Sequence, residues 1–313
     1  MLDDAVIIGQ IAVKSSAAVM LAATGEVLCE RSGVINLGLE GMMLCGALAG
    51  FVVGYETKSA LMACGAAMVA GGLLAGLHAA LTIGLRAHQV LCGLALTLLG
   101  TGLATFLGRS YLGLRGVRLG ALPVPHLQEI PVLGEVLFRQ HALVYVALVV
   151  AAGGWWLLFR TKTGLRIRAV GEDATAADAA GLPVARLRTL CVVAGGMLAG
   201  LGGASLSLAY TPGWKEGMTG GQGWIAIAMV IFSGWRPLGA ATGALLFGGL
   251  TALQFHAQVS GSLFGVPDIS PSFLRMLPYL LTIAVLALAG VLPGFSRRAG
   301  APADLGRPFR RES

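Results

Sequence analysis

Charge is what this chain has least of. Only 12% of its 313 residues are Asp, Glu, Lys or Arg, whereas a soluble domain carries about a quarter. Hydrophobic residues make up 56% and mean hydropathy is +0.80. No single water-soluble core can absorb that much apolar side chain, so lipid must be part of the solvent. No G-x-x-x-x-G-K-[ST] stretch occurs, so the chain has no P-loop with which to hydrolyse nucleotide itself. The five histidines (His78, His88, His126, His141, His256) lack H-E-x-x-H or other ligand spacing, and no metal is assigned. The five cysteines (Cys29, Cys45, Cys64, Cys92, Cys191) show no C-x-x-C pair and are read as buried free thiols. The net charge of +7 is not interleaved with aromatics and lies beside apolar segments. That argues against nucleic acid and fits the positive-inside rule. The first apolar stretch lacks a basic n-region and an A-x-A-type cleavage context, so it is expected to remain as a membrane helix.

Long apolar runs are there instead. About 20 residues of helix span a hydrocarbon core of about 30 Å. Candidate spans fall at 5–24, 34–54, 60–85, 89–108, 142–159, 190–210, 222–235, 238–256 and 273–293. The fold expected is all-α, a polytopic transmembrane bundle of about eight or nine spans. Residues 160–188 hold Arg160, Lys162, Arg166, Arg168, Arg186 and Arg188, and the tail holds Arg297, Arg298, Arg307, Arg310 and Arg311. Both are expected on the cytoplasmic side of the cell (inner) membrane. That requires an even number of crossings between them, so the short 222–235 segment is read as a full crossing rather than a re-entrant half-helix. Arg86 and the Trp235-Arg236-Pro237 turn then fall on the same side. The 109–140 connection falls outside although it carries Arg109, Arg115, Arg118 and Arg139, and its prolines suggest a structured cap. Residues 1–295 are read as one transmembrane domain with a 160–189 cytoplasmic loop, and 296–313 as a basic, disordered cytoplasmic tail.

Glycine is also abundant, at 47 residues, and sits inside the apolar runs. Gly46, Gly50 and Gly54 recur every four residues, as do Gly72 with Gly76, Gly196 with Gly200, and Gly239 with Gly243. Such ladders let helix backbones approach closely, either within the subunit or along a dimer seam.

The 160–188 loop contains a helix signal. Gly171 stands as a candidate N-cap, Glu172 and Asp173 sit at the positive end of the helix dipole, and Ala174 to Ala180 are strong helix formers. Gly181 offers the left-handed C-terminal position and Pro183 blocks continuation. About nine residues are too few for a helix stable alone in water. It needs a surface to lie against, and either an ordinary connection at the headgroups or a soluble docking partner would serve.

Three separated stretches carry a resemblance. ERSGVINLGLEGMM (Glu30 to Met43), the 160–188 loop with TKTGLRIRAVGED and AADAAGL, and GWIAIAMVIFSGWRPLGAATGALLFGG (Gly223 to Gly249) resemble the ABC importer permeases for nucleosides and simple sugars, of the branched-chain-type permease superfamily. The similarity spans residues 15 to 295. The V-I-N-x-G-L-E-G form resembles the purine-nucleoside subgroup, which works with an external lipoprotein receptor. The resemblance implies a fold like that of type II importer permeases, with two permease subunits (a homo- or heterodimer), two ATPase subunits and an external solute-binding protein. It implies that the chain binds no cofactor and that ATP and Mg are used by the partner subunits. It maps the coupling helix to Glu172–Gly181, with Gly171, Glu172, Asp173, Ala176, Ala177, Asp178 and Gly181 as coupling residues.

Intramembrane polar groups are candidates because an unpaired charge in lipid is costly. Asn36 and Glu40 lie four apart, on one face of a helix, and either line a substrate path or satisfy a neighbouring helix through Arg31. Glu26 and Glu30 are read as structural partners at the interface. Gln222, Trp224 and Trp214 flank the seventh segment at its outer end, where tryptophan serves either as a belt anchor or as a stacking surface for a nucleobase. An ion-coupled secondary transporter is the alternative function, although central carboxylates are few.

Overall fold

A computed structural model describes residues 2–260 and 300–310, with scattered positions between 262 and 287. The expected ninth span at 273–293 lies largely outside the described residues, as do Arg297, Arg298 and Arg311. Among the described residues, seven helices are long and apolar enough to cross a membrane. They are α1 (Leu2–Arg31), α2 (Leu39–Thr57), α3 (Ala60–Ala79, extended by a π turn to Gly84), α4 (Gln89–Gly108), α6 (Ala142–Arg160), α9 (Val184–Ser205, extended to Tyr210) and α11 (Pro237–Ser260). Four shorter helices complete the set: α5 (Leu133–Leu137), α7 (Lys162–Glu172), α8 (Ala174–Ala179) and α10 (Gln222–Phe232). The seven long helices and α10 account for the first eight expected spans.

Helix α1 runs through the centre of the bundle, and its stretch from Ala17 to Ala23 is buried. Around it, helix backbones come close where glycines face one another. A Cβ at Gly46 would lie 2.4 Å from the Gly200 backbone, and one at Gly71 2.2 Å from the Gly196 carbonyl oxygen. Helices α2, α3 and α9 therefore meet backbone to backbone, which only glycine permits. Of the ladder glycines, Gly46, Gly196 and Gly200 lie in this internal seam, whereas Gly76 faces open space. The outer faces of α3 and α4 present Leu61, Val69, Leu73, Leu98 and Phe106 outward, as helices bordering lipid do.

Helix α10 has only 11 residues, about 16 Å at the helical rise. The stretch 211–221 before it is irregular and bends at Gly213, Gly217, Gly220 and Gly221, all with positive φ. Together the two cross from the end of α9 to the turn at Gly234–Trp235. That turn is bound by Arg31, whose Nε donates to the Trp235 carbonyl at 2.9 Å and Nη2 to Gly234 at 3.2 Å. The segment is thus an irregular stretch followed by a short helix rather than one continuous span, and the expected parity also needs the 273–293 span, which lies largely outside the described residues.

The basic 160–188 stretch, Arg86, the Trp235 turn and residues 300–310 all gather at one end of the bundle, here the loop end. For residues 300–310 the expectation of disorder does not hold. Pro302 is buried, Leu305 packs on the main core and Phe309 packs with Val170, Ala174, Ala177 and Val184. Backbone hydrogen bonds to the rest of the chain supply order that composition alone does not reveal. At the opposite, far end, the 109–140 connection folds over α1 and α6, with Gln140 donating to the Gln10 carbonyl.

Candidate functional site

Two breaks in helical structure face one another inside the bundle. The first is the turn between α1 and α2. Asn36 N donates to Glu26 Oε1 at 3.0 Å, and the Asn36 side chain accepts from Gly38 N at 3.0 Å. Ile35 N donates to Gln89 Oε1 at 2.8 Å, His78 Nε2 lies 3.0 Å from the Ile35 carbonyl, and Thr97 donates to the Leu37 carbonyl at 2.9 Å. Polar backbone at this depth must be satisfied by protein, and four side chains from three helices do so.

The second break is the glycine-rich 211–221 stretch, and Glu40 grips its end. The carboxylate accepts from Thr219 Oγ1 at 2.6 Å, from Gly221 N at 2.9 Å and from Gly223 N at 2.7 Å. An acidic group at the amino end of α10 also meets the positive pole of that helix. A Cβ at Gly223 would sit 2.5 Å from Glu40 N, so the clamp needs glycine there. Beside it lies a cavity of about 310 Å³ lined in part by Tyr210, Thr219, Gln222, Thr251, Gln254 and Phe255. Among the described residues its lining carries no Asp, Glu, His, Lys or Arg. Gln222 Oε1 and Tyr210 Oη are buried there without a hydrogen-bond partner among the described residues.

These geometries sort the candidate path residues. Glu40 and Gln222 come together around the 219–223 turn. Asn36 is fully buried and spent on local bonds, so it does not line an open path. Trp224 is 38% exposed on the outer surface of α10. Glu40 is satisfied by the α10 end rather than by Arg31, which caps the Trp235 turn instead. Glu26 and Glu30 are structural partners, but buried inside the bundle rather than at the interface; Glu30 accepts from Trp235 Nε1. Trp214 is packed against Gly108 and 4% exposed, so it is a core residue and not a belt anchor. All five cysteines are free, and Cys29 and Cys191 are buried.

At the loop end the helix signal resolves into two helices. Asp173, not Gly171, is the N-cap of α8, accepting from Ala176 N at 2.8 Å. An aspartate side chain can satisfy an orphan amide where glycine has nothing to offer. Gly171 instead belongs to α7, where a Cβ would meet the Arg31 carbonyl oxygen at 2.2 Å. Glu172 closes α7, and Ala176, Ala177 and Asp178 lie on α8 with Ala177 buried. Gly181 takes the left-handed conformation at φ +81° and ends the turn.

Residues 7–286 match the family described as branched-chain amino acid transport system / permease component. The chain belongs to this family. A Haloferax volcanii protein named a putative glucose ABC transporter permease is 42% identical to this permease over 96% of each chain. A Lactococcus lactis nucleoside ABC transporter permease is 38% identical over 84% of this chain and 86% of its own. A Bacillus subtilis guanosine ABC transporter permease is 36% identical over 94% and 93%. No solved structure matches the permease. Its class is that of a multi-pass cell-membrane transport subunit, not an ion-coupled carrier and not a catalyst.

Sequence reasoning missed Thr219, Gln254 and Tyr210. The first lies 179 positions from the Glu40 it binds, and no local pattern signals such a partner. A threonine directly before Gly220-Gly221 was the available hint, since that run can only be irregular backbone.

Proposed function

We propose that this permease forms the membrane path of an ATP-driven importer for a nucleoside, with α8 as the docking point for a separate ATPase subunit. The Glu40 clamp on the broken segment carries the reading. Substrate sites in transport proteins are commonly built where helices are discontinuous, because the freed backbone groups are then available to ligand. The adjoining cavity offers aromatic faces from Tyr210 and Phe255 with amide and hydroxyl groups from Gln222, Gln254 and Thr251. Aromatic faces with neutral hydrogen-bonding groups suit a nucleobase and ribose better than an ion. Solute would arrive from an external binding protein. ATP binding in the partner subunits would move α8, and a second permease subunit, identical or related, would complete the path.

Reconstitution with the ATPase and receptor subunits tests this. Uptake of labelled guanosine should require ATP, and deleting 172–181 should abolish it while membrane insertion persists. Uptake that survives ATP depletion and collapses with the proton gradient would overturn the proposal. A simple sugar is the second reading, favoured by the Haloferax relative. Competition of guanosine uptake by glucose at similar concentration would select it.

A further inference from the structure

Residues 302–309 cross the loop end as a strap and touch both moving parts of the proposed mechanism. Asp304 joins α7 to α8 through two bonds. Its backbone N donates to the Gly171 carbonyl at 3.0 Å, and its Oδ2 accepts from Ala174 N at 2.8 Å. Ala303 N donates to Glu172 Oε2 at 3.3 Å. Two residues on, Gly306 N donates to the Gly33 carbonyl at 3.1 Å, in the turn between α1 and α2. Gly33 has φ +92°, and a Cβ there would meet Arg188 Nη2 at 2.7 Å. Arg188 is 2% exposed and bonds both sides of this junction, with Nε donating to the Ser32 carbonyl at 3.1 Å and Nη1 to the Arg307 carbonyl at 3.0 Å. Phe309 then packs on the apolar side of α8.

The α1–α2 turn continues through Asn36 to Glu40, which grips the amino end of α10. Hence an unbroken series of bonded groups leads from α8, through the strap, to the broken crossing.

We propose that this strap makes α8 and the Gly33–Glu40 segment move as one body, with Asp304 as the positioning residue that passes displacement of α8 to the Glu40 clamp. This rests on the reading of α8 as the ATPase docking point. A helix of six residues has little rigidity of its own, so a displacement imposed on it dissipates unless its first turn is fastened to the part that must move. An effector shifts a distant equilibrium only through a contact that differs between the two states.

Two measurements separate the strap from the reading beneath it. In the purified full-length permease alone, amide exchange is followed at Ala174–Ala176 and at Thr219–Gly223. Asp304→Ala should accelerate exchange at both sites by about tenfold, the size expected for loss of a capping bond. Asp304→Asn, which keeps an acceptor oxygen, should restore most of the protection. Acceleration confined to 174–176 would overturn the proposal, because the bond would then be local. In the reconstituted importer, Asp304→Ala and a chain ending at Ala299 should still assemble with the ATPase and hydrolyse ATP. Solute moved per ATP should fall at least about fivefold. A ratio equal to wild type in both variants would overturn the strap while leaving the importer intact. Loss of ATPase assembly in Asp304→Ala would also overturn it, since the residue would then serve docking rather than transmission. If the unaltered permease binds no ATPase, the functional reading fails instead, and the exchange result stands apart from it.

Discussion

The two breaks in this bundle are built in opposite ways. The α1–α2 turn is closed by side chains from three helices, and its Ser32, Val34 and Asn36 are buried. The 211–221 stretch has four glycines at positive φ, an exposed surface at Lys215 and Glu216, and its α10 end is held chiefly by one carboxylate. Local stability follows the density of buried contacts. The first break is therefore a rigid unit, able to move as one body, and the second the part free to rearrange, with the Glu40 carboxylate gripping the second from the first.

Replacing Glu40 strikes that contrast hardest. Glu40→Ala deletes three hydrogen bonds to a carboxylate, each worth about 1.5–3 kcal/mol, so the clamped state should lose at least about 3 kcal/mol. Uptake should drop to background while the chain still inserts. Near-normal uptake would mean that something other than Glu40 holds the moving break. The far end provides a control away from both breaks. Burial, and then the nearby Lys14, push the His141 imidazole down from 6.5 to about 4. The unfolded chain therefore binds the proton first. Stability is full above pH 6.5 and is lost as pH falls towards 4, by about 2–3 kcal/mol. Thermal midpoints across that window should fall, and His141→Asn should flatten the slope. A flat wild-type profile would show that the site is open to water.

Glycine substitutions sharpen the contrast further. Gly33→Ala combines φ +92° with a Cβ only 2.7 Å from Arg188 Nη2, and should destabilise by about 2 kcal/mol or more. Gly217→Ala, at φ +61° with nothing within 4 Å, should destabilise by about 1 kcal/mol. Equal melting temperatures for the two variants would remove the distinction between the rigid break and the adaptable one. The smallest effect is expected from Gln89→Leu, which strips the Ile35 amide of its acceptor at about 1 kcal/mol. Faster amide exchange at Ile35, with no change at Gly221, is the signature to look for.

How much of this was legible beforehand depends on the range of the forces involved. Span positions, the loop-end grouping and the left-handed Gly181 are written in hydropathy, charge and local backbone preference, all of which act within a few residues. Asp173 was misjudged in favour of Gly171 because α7, a separate helix not foreseen over 162–172, takes up Gly171 and Glu172 and moves the cap of α8 to Asp173. Asn36 looked like a path residue because an intramembrane amide is rare, yet its partners sit 10 and 2 residues away and use up its main bonds. The partner of Glu40 and the docking of residues 302–309 depend on contacts more than a hundred positions apart. A polar, proline- and glycine-bearing segment carries no periodicity by which such docking could be foreseen.

The seam of Gly46, Gly71 and Gly200 also bears on how the protein comes to be made. Its first two members enter the membrane early and its third about 130 positions later. Until α9 is inserted, α2 and α3 present bare glycine grooves to lipid, with no large side chains to fill them. Lipid tails do not drive helices together as water does, so nothing closes these grooves before the matching backbone arrives. Assembly of the bundle is accordingly timed by the synthesis of α9, and a nascent chain halted before Val184 is left with its central joint open.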